Sequence, residues 1–132
     1  DIPWCSVKDL GNNLFISNTQ ESITIEGLNN SSSRIVEAGN IVLCTRMAVG
    51  KIRIPTINMA INQDLKGIRL SQYIDKRYFI NHVLTNSFKG TGTTVKGINQ
   101  SDFLDKNFYL PPFNEQVKIV NKIKSINQLI DL

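Results

Sequence analysis

Apolar positions crowd between Ile41 and Ile68 and change their rhythm there in a readable way. Ile41–Cys44 is an unbroken apolar run, the mark of a strand covered on both faces. Gly39-Asn40 before it and Met47–Gly50 after it read as turns. Lys51–Ile54 then alternates strictly, with Ile52 and Ile54 on one side and Lys51 and Arg53 on the other. Pro55 ends that strand, because proline cannot donate to a ladder. A third strand is expected around Met59–Leu65. Pairing these strands gives one apolar face and one polar face carrying Arg46, Lys51, Arg53, Asn62, Gln63 and Lys66.

The flanks are less regular. Asp1–Trp4 opens a short strand, and Ser6-Val7-Lys8-Asp9 has the spacing of a capping box over one helical turn. Ile23–Ile25 reads as a β-segment, and Asn29–Ser33 as a polar loop. Past the central strands, Ser71 is an expected helix cap, with a helix running to Phe88 and Ile74, Tyr78, Val83, Leu84 and Phe88 on its inner face. A further helical turn is expected from Asn99, and a last short strand at Phe108–Leu110. Pro111-Pro112 is a helix-start signal. Asn114 is expected to cap the final helix, with Glu115 at its positive end. Along that helix Ile119, Ile123, Ile126 and Ile130 recur at spacings of four, three and four, a heptad seam that asks for a partner helix. The pattern predicts an α+β fold: a mixed, largely antiparallel curved sheet with short helices, then a coiled-coil-type helix. The expected division is a domain over residues 1–112 and a helix over residues 113–132.

Charge sharpens this picture. Ile41–Arg69 holds five basic residues (Arg46, Lys51, Arg53, Lys66, Arg69) and one acid, Asp64, an excess of four that equals the net charge of +4 of the whole chain. Up to Asn40 the balance is negative, with Lys8 and Arg34 against Asp1, Asp9, Glu21, Glu26 and Glu37. A positive charge with a location suggests a polyanionic partner. The plainer alternative is a solvated strand surface. Asn62 and Gln63 add side chains that can pair bidentately with adenine in a major groove, as Arg46 and Arg53 can with guanine. The stretch Lys89–Gly97 carries Lys89, Thr91, Thr93, Thr94 and Lys96 among glycines and no acid, which suits a phosphate backbone. It lacks the spacing of a nucleotide-binding phosphate loop.

Composition excludes several classes. The chain has 132 residues, 41% hydrophobic and 20% charged, which suits one domain with a modest core and argues against disorder. No apolar run approaches a membrane span, and the start has no signal-peptide pattern. The first residue is Asp1, consistent with a piece of a longer chain. Cys5 and Cys44 read as buried, reduced thiols in a cytoplasmic protein, too few for a disulfide scaffold and without metal-ligand spacing. Trp4 and Phe15 read as core rather than as base-stacking platforms, since aromatic and basic positions do not interleave.

No chemistry is expected. Leu110-Pro111-Pro112-Phe113 superficially resembles the Asn/Asp-Pro-Pro-Tyr/Phe motif of adenine methyltransferases, but Leu110 has no polar group to hold a flipped base. The lone histidine, His82, reads as structural or superficial. A nucleophilic pairing with Cys44 has no visible orienting residue.

Taken together in order, DIPWCSVKDL, SITIEGLNNSS, GNIVLCTRMAVGKIRI, NMAINQDLKGI, GTTVKGI and LPPFNEQVKIVNKI resemble the specificity subunit of type I restriction-modification systems. The last is the most specific, resembling the junction between a target recognition domain and the long helix after it. The resemblance implies a non-catalytic subunit in which each of two recognition domains reads half of a split duplex DNA site, with paired helices as spacer. It implies as partners double-stranded DNA, a methyltransferase subunit, a restriction subunit in the full complex, and a second recognition domain or another copy of the chain. S-adenosylmethionine and ATP belong, by the same resemblance, to the other subunits, so no cofactor and no metal are assigned. The family's leader segment and second domain have no counterpart in this stretch. Two alternatives stand beside this reading: a recognition domain within a single-chain restriction-methylation enzyme, and a general nucleic-acid or protein-interaction module.

Overall fold

The computed structural model describes residues 1–85, 100–105 and 107–130, which divide into two compact units. The first holds Asp1–Arg69 together with a short helix, α3 (Gln100–Leu104). The second holds a helix α2 (Lys76–Thr85), the long helix α4 (Phe113–Ile130) and the segment that leads into α4.

The first unit is built from eight strands: β1 (Ile2–Cys5), β2 (Phe15–Ile16), β3 (Glu21–Ile23), β4 (Arg34–Val36), β5 (Ile41–Cys44), β6 (Ile52–Pro55), β7 (Met59–Ile61) and β8 (Leu65–Ile68). They form two four-stranded sheets, ordered β3-β1-β7-β4 and β2-β6-β5-β8. The pairs β1/β7 and β2/β6 are parallel, and the other four pairs are antiparallel. The α+β class with mostly antiparallel pairing is as expected, but the sheet is two sheets. The expected third strand is accordingly two strands, β7 and β8, one in each sheet. The turn Asn62-Gln63-Asp64 carries the chain across, and Asn62 Oδ1 accepts from the Asp64 amide at 2.9 Å.

The apolar pattern explains the packing. All four residues of β5 are buried, as its unbroken run predicts; β6 and β8 flank it, and Val42 and Cys44 pack into the core shared with the other sheet. Along β6, Ile52 and Ile54 are buried while Arg53 is half-buried, and Lys51 just before the strand is exposed. The core draws Cys5, Met59 and Ile61 from one sheet and Val42, Cys44 and Leu65 from the other. Where the sheets close, a Cβ on Gly67 of β8 would stand 2.8 Å from Val36 Cγ2 of β4, so only glycine permits this approach.

Several local expectations change. The capping turn holds: Asp9 Oδ2 accepts from the Ser6 amide at 2.9 Å, over a 3₁₀ turn at Val7–Asp9. Thr24, expected within a strand, instead caps the helix α1 (Ile25–Asn29), its Oγ1 accepting from the Gly27 amide at 2.9 Å. A side chain that can serve a backbone donor outweighs β propensity there. Phe15, expected in the core, is 53% exposed, because the two-residue strand β2 gives its inner position to Ile16. Trp4 is half-buried, with Nε1 donating to Ser33 Oγ at 3.0 Å.

In the second unit the helix begins later than the Ser71 expectation. Ser71 Oγ accepts from the Tyr73 amide in a turn, and Asp75 caps α2, its Oδ1 accepting from the Tyr78 amide at 2.9 Å. Tyr78, Phe79, Ile80 and Val83 are buried, whereas Leu84 is 50% exposed. The end expected at Phe88 lies outside the described residues. Phe108–Leu110 is not a strand. Its ring and carbonyl groups serve α2 instead: Phe108 lies 4.5 Å from the His82 ring and 5.8 Å from those of Tyr78 and Phe79, and the Tyr78 hydroxyl donates to the Tyr109 carbonyl at 2.7 Å. The helix α4 begins directly after Pro111-Pro112, one residue before Asn114, so Asn114 lies in its first turn rather than capping it. Gln116 is fully buried and bolts that turn in place: Nε2 donates to the Tyr73 and Pro111 carbonyls at 2.9 Å, and Oε1 accepts from the Asp75 amide at 2.7 Å.

Candidate nucleic-acid interface

The polar residues of the central stretch gather on one rim of the first unit. Its first part is the β5–β6 loop. Cys44, where the loop leaves β5, holds its far end, its amide donating to the Lys51 carbonyl at 2.9 Å and its carbonyl accepting from the Gly50 amide at 3.0 Å. Arg46 and Lys51 are exposed on this loop. Its second part is the β7–β8 turn, where Gln63 is exposed and Asn62 half-buried. Asp64 joins the two: its carbonyl accepts from the Thr45 amide at 2.9 Å, and its Oδ1 lies 3.5 Å from Arg46 Nε. The Arg46 side chain is 61% exposed, so this ion pair aims the guanidinium more than it stabilises the fold.

The turn leads into a groove of about 430 Å³ between β4 and β8. Asn62, Gln63, Lys66 and Arg69 line one side; Ser32, Arg34, Glu37 and Asn40 line the other. Three cations against one carboxylate leave it positive, and the Arg34 guanidinium is braced on the Ser33 carbonyl at 3.1 Å. Such a groove offers amide and guanidinium donors to base edges and cations to phosphates.

Of the sequence-derived candidates, Arg46, Lys51, Asn62, Gln63 and Lys66 share this rim. Arg53 does not point its donors outward in the same way. Its Nε donates to the Leu10 carbonyl at 2.6 Å, and its two terminal nitrogens donate to the Ile52 and Gly11 carbonyls. Burial lowers its pKa from the ordinary arginine value. Arg53 thus fastens the Leu10-Gly11 loop to β6. Lys89, Thr91, Thr93, Thr94 and Lys96 lie outside the described residues. Arg34, Ser32 and Asn40 were not expected. They sit in the stretch counted as acidic, and only the antiparallel pairing of Arg34 with Ile61 brings them beside Asn62. No local pattern announces that pairing.

Nothing in the described residues suggests catalysis by the two cysteines. Cys5 and Cys44 are unpaired and fully buried, and the Cys44 thiol donates to the Arg46 carbonyl at 2.8 Å. Burial, with Asp9 and Cys44 adding to it, pushes the Cys5 thiol up to about 12, the opposite of an activated nucleophile. His82 belongs to the aromatic cluster of the second unit. No cluster of metal-ligating side chains occurs among the described residues, and none of their helices is long and apolar enough to cross a membrane.

The family model described as "Type I restriction modification DNA specificity domain" matches residues 1–132. The chain belongs to this family. Among curated relatives, it is 25% identical over 138 residues to the EcoR124I/EcoR124II specificity subunit of Escherichia coli, a match covering 97% of this chain and 34% of that one. Two solved structures share its fold. A chain from a type I R-M system aligns with a TM-score of 0.79 at 18% identity, over 98% of this chain and 32% of that chain. The HsdS subunit from Thermoanaerobacter tengcongensis aligns with a TM-score of 0.72 at 17% identity, over 98% and 30%. The specificity domain therefore spans about a third of the length of these relatives.

Proposed function

We propose that this specificity domain is one target recognition domain of a type I restriction-modification specificity subunit, and that it reads one half of a bipartite duplex DNA target. Residues 1–112 do the reading. Residues 113–132 begin the spacer helix that meets a second recognition domain or another copy of the chain. The domain catalyses nothing itself. It positions DNA in the cytoplasm for a separate methyltransferase subunit and, in the full complex, a restriction subunit, and those subunits bring the cofactors. The observation that carries this reading is the joining of Arg46, Lys51, Asn62, Gln63, Lys66, Arg69 and Arg34 along one rim and groove, in a chain matched over its whole length by the family. Base-reading amides flanked by phosphate-holding cations are what duplex recognition requires.

Methylome sequencing of cells with and without the intact gene tests it. Methylation of one split motif should vanish with the gene. An unchanged methylome overturns the proposal.

A further inference from the structure

Met47 stands out on the rim. It is the non-glycine residue with a positive φ, 71°, among the described residues. It is also 83% exposed, the most exposed of the large hydrophobic side chains among the described residues. The Ala48 amide donates to the Arg46 carbonyl at 2.8 Å across it, the narrow reversal of a strained γ-turn. Glycine or asparagine would take this backbone at lower cost, and a polar side chain would suit the exposure better. Methionine therefore costs stability twice, in backbone strain and in apolar surface left in water.

The surroundings hold the strained turn in place. The Arg46 carbonyl also receives the Cys44 thiol, Thr45 is tied to the Asp64 carbonyl, and Ala48 packs against the core. Strain that its neighbours over-determine gathers where a site needs a fixed shape. The two nearest charged residues along the loop are Arg46 and Lys51, both cations and both exposed. An apolar tip between cations suits a polyanion that also presents apolar base edges, which is duplex DNA. Proteins place methionine among the apolar side chains that enter DNA grooves or press between base steps.

Resting on the recognition function proposed above, we propose that Met47 is an apolar specificity element that the β5–β6 loop inserts into a groove of the duplex, with Arg46 and Lys51 holding the adjoining phosphates.

The test uses the full specificity subunit assembled with its methyltransferase. Fluorescence anisotropy compares a labelled duplex bearing the methylated motif with a shuffled duplex. Met47→Gly and Met47→Asn, both suited to the left-handed backbone, should keep or raise the melting temperature and weaken binding to the motif about tenfold. Met47→Leu, which restores apolar bulk, should bind close to wild type. Unchanged affinity in Met47→Gly and Met47→Asn overturns the inference, as does a Met47→Leu variant as impaired as they are. Loss of methyltransferase co-purification with DNA affinity intact would make the tip a protein contact and overturn it too. A wild-type assembly that binds both duplexes equally defeats the recognition reading itself, and the Met47 inference falls with it.

Discussion

Thr45 and Asp64 are joined twice: the Thr45 amide donates to the Asp64 carbonyl at 2.9 Å, and the Thr45 hydroxyl donates to the same oxygen at 3.2 Å. The tie binds the β5–β6 loop to the β7–β8 turn, so residues nearly twenty apart in sequence form one surface. Thr45 is buried, which shields both hydrogen bonds from water. The cations of the loop and the amides of the turn therefore keep a fixed spacing.

Binding of this surface to duplex DNA should weaken steeply with salt. Arg34, Arg46, Lys51, Lys66 and Arg69 are all exposed cations of the rim and groove. Each phosphate they neutralise contributes about −0.9 to the slope of log K against log salt. Titrations at several salt concentrations check this, and a flat response removes the phosphate-holding role.

Gln63 and Arg53 should separate when mutated. Gln63→Ala leaves the fold alone and changes which sequence is modified, since a lost bidentate base contact costs about 1–3 kcal/mol of discrimination. Arg53→Ala removes the ties to the Gly11 carbonyl and to the part-buried carbonyls of Leu10 and Ile52, so it should destabilise by about 1–3 kcal/mol and leave the modified motif unchanged. Lys89→Ala and Lys96→Ala should weaken all duplexes alike. Melting curves and methylome sequencing read the two effects separately. A stable Arg53→Ala protein with a changed motif would make Arg53 a reader after all.

Alkaline solution should destabilise the first unit through Cys5. Its thiol has a pKa raised from 9.0 to about 12 in the fold. Below pH 9.0 both folded and unfolded chains carry the neutral thiol and the stabilisation is fully present. Between that value and about 12 the unfolded chain ionises first, so stability falls as pH rises. Burial raises the Tyr78 phenol too, which adds the same sign in the second unit. Cys5→Ala should flatten the alkaline fall in melting temperature relative to wild type. An identical pH dependence in the two proteins refutes the assignment.

The strands β5 and β6 were legible because their burial follows directly from periods along the chain. An unbroken run means cover on both faces, and strict alternation means cover on one. The positive rim was half legible. Arg46, Lys51, Asn62, Gln63 and Lys66 announce themselves by local charge and amide content, but Arg34 enters through the pairing of β4 with β7. Arg53 misleads for the opposite reason. Its alternation sets it apart from Ile52 and Ile54, but it lies directly opposite the core residue Val42, and the Leu10-Gly11 loop, more than forty residues earlier, takes its donors. Thr24 and Asp75 show side-chain capping overriding propensity. Gln116 was invisible as a core residue, because its partners are backbone groups of Tyr73 and Asp75, 43 and 41 residues away.

The long helix α4 should respond differently at its two ends. Gln116 is buried with three hydrogen bonds to the backbone, so Gln116→Leu strands the Asp75 amide and two carbonyls and should cost about 1–3 kcal/mol or more. Farther along, the seam is open: Ile119 is 37% and Ile126 44% exposed, and Ile123 is half-buried. The side chain of Ile130 lies outside the described residues. Isoleucines at heptad spacing left in water are suited to a partner helix. Lys118, Lys122 and Lys124 are exposed and keep the other faces wet. Ile123→Glu with Ile126→Glu should abolish association while leaving the melting temperature close to wild type. Light scattering on the isolated chain and co-purification with the methyltransferase read the association. If the double mutant lowers the melting temperature as much as Gln116→Leu, the seam packs inward and α4 is core along its length.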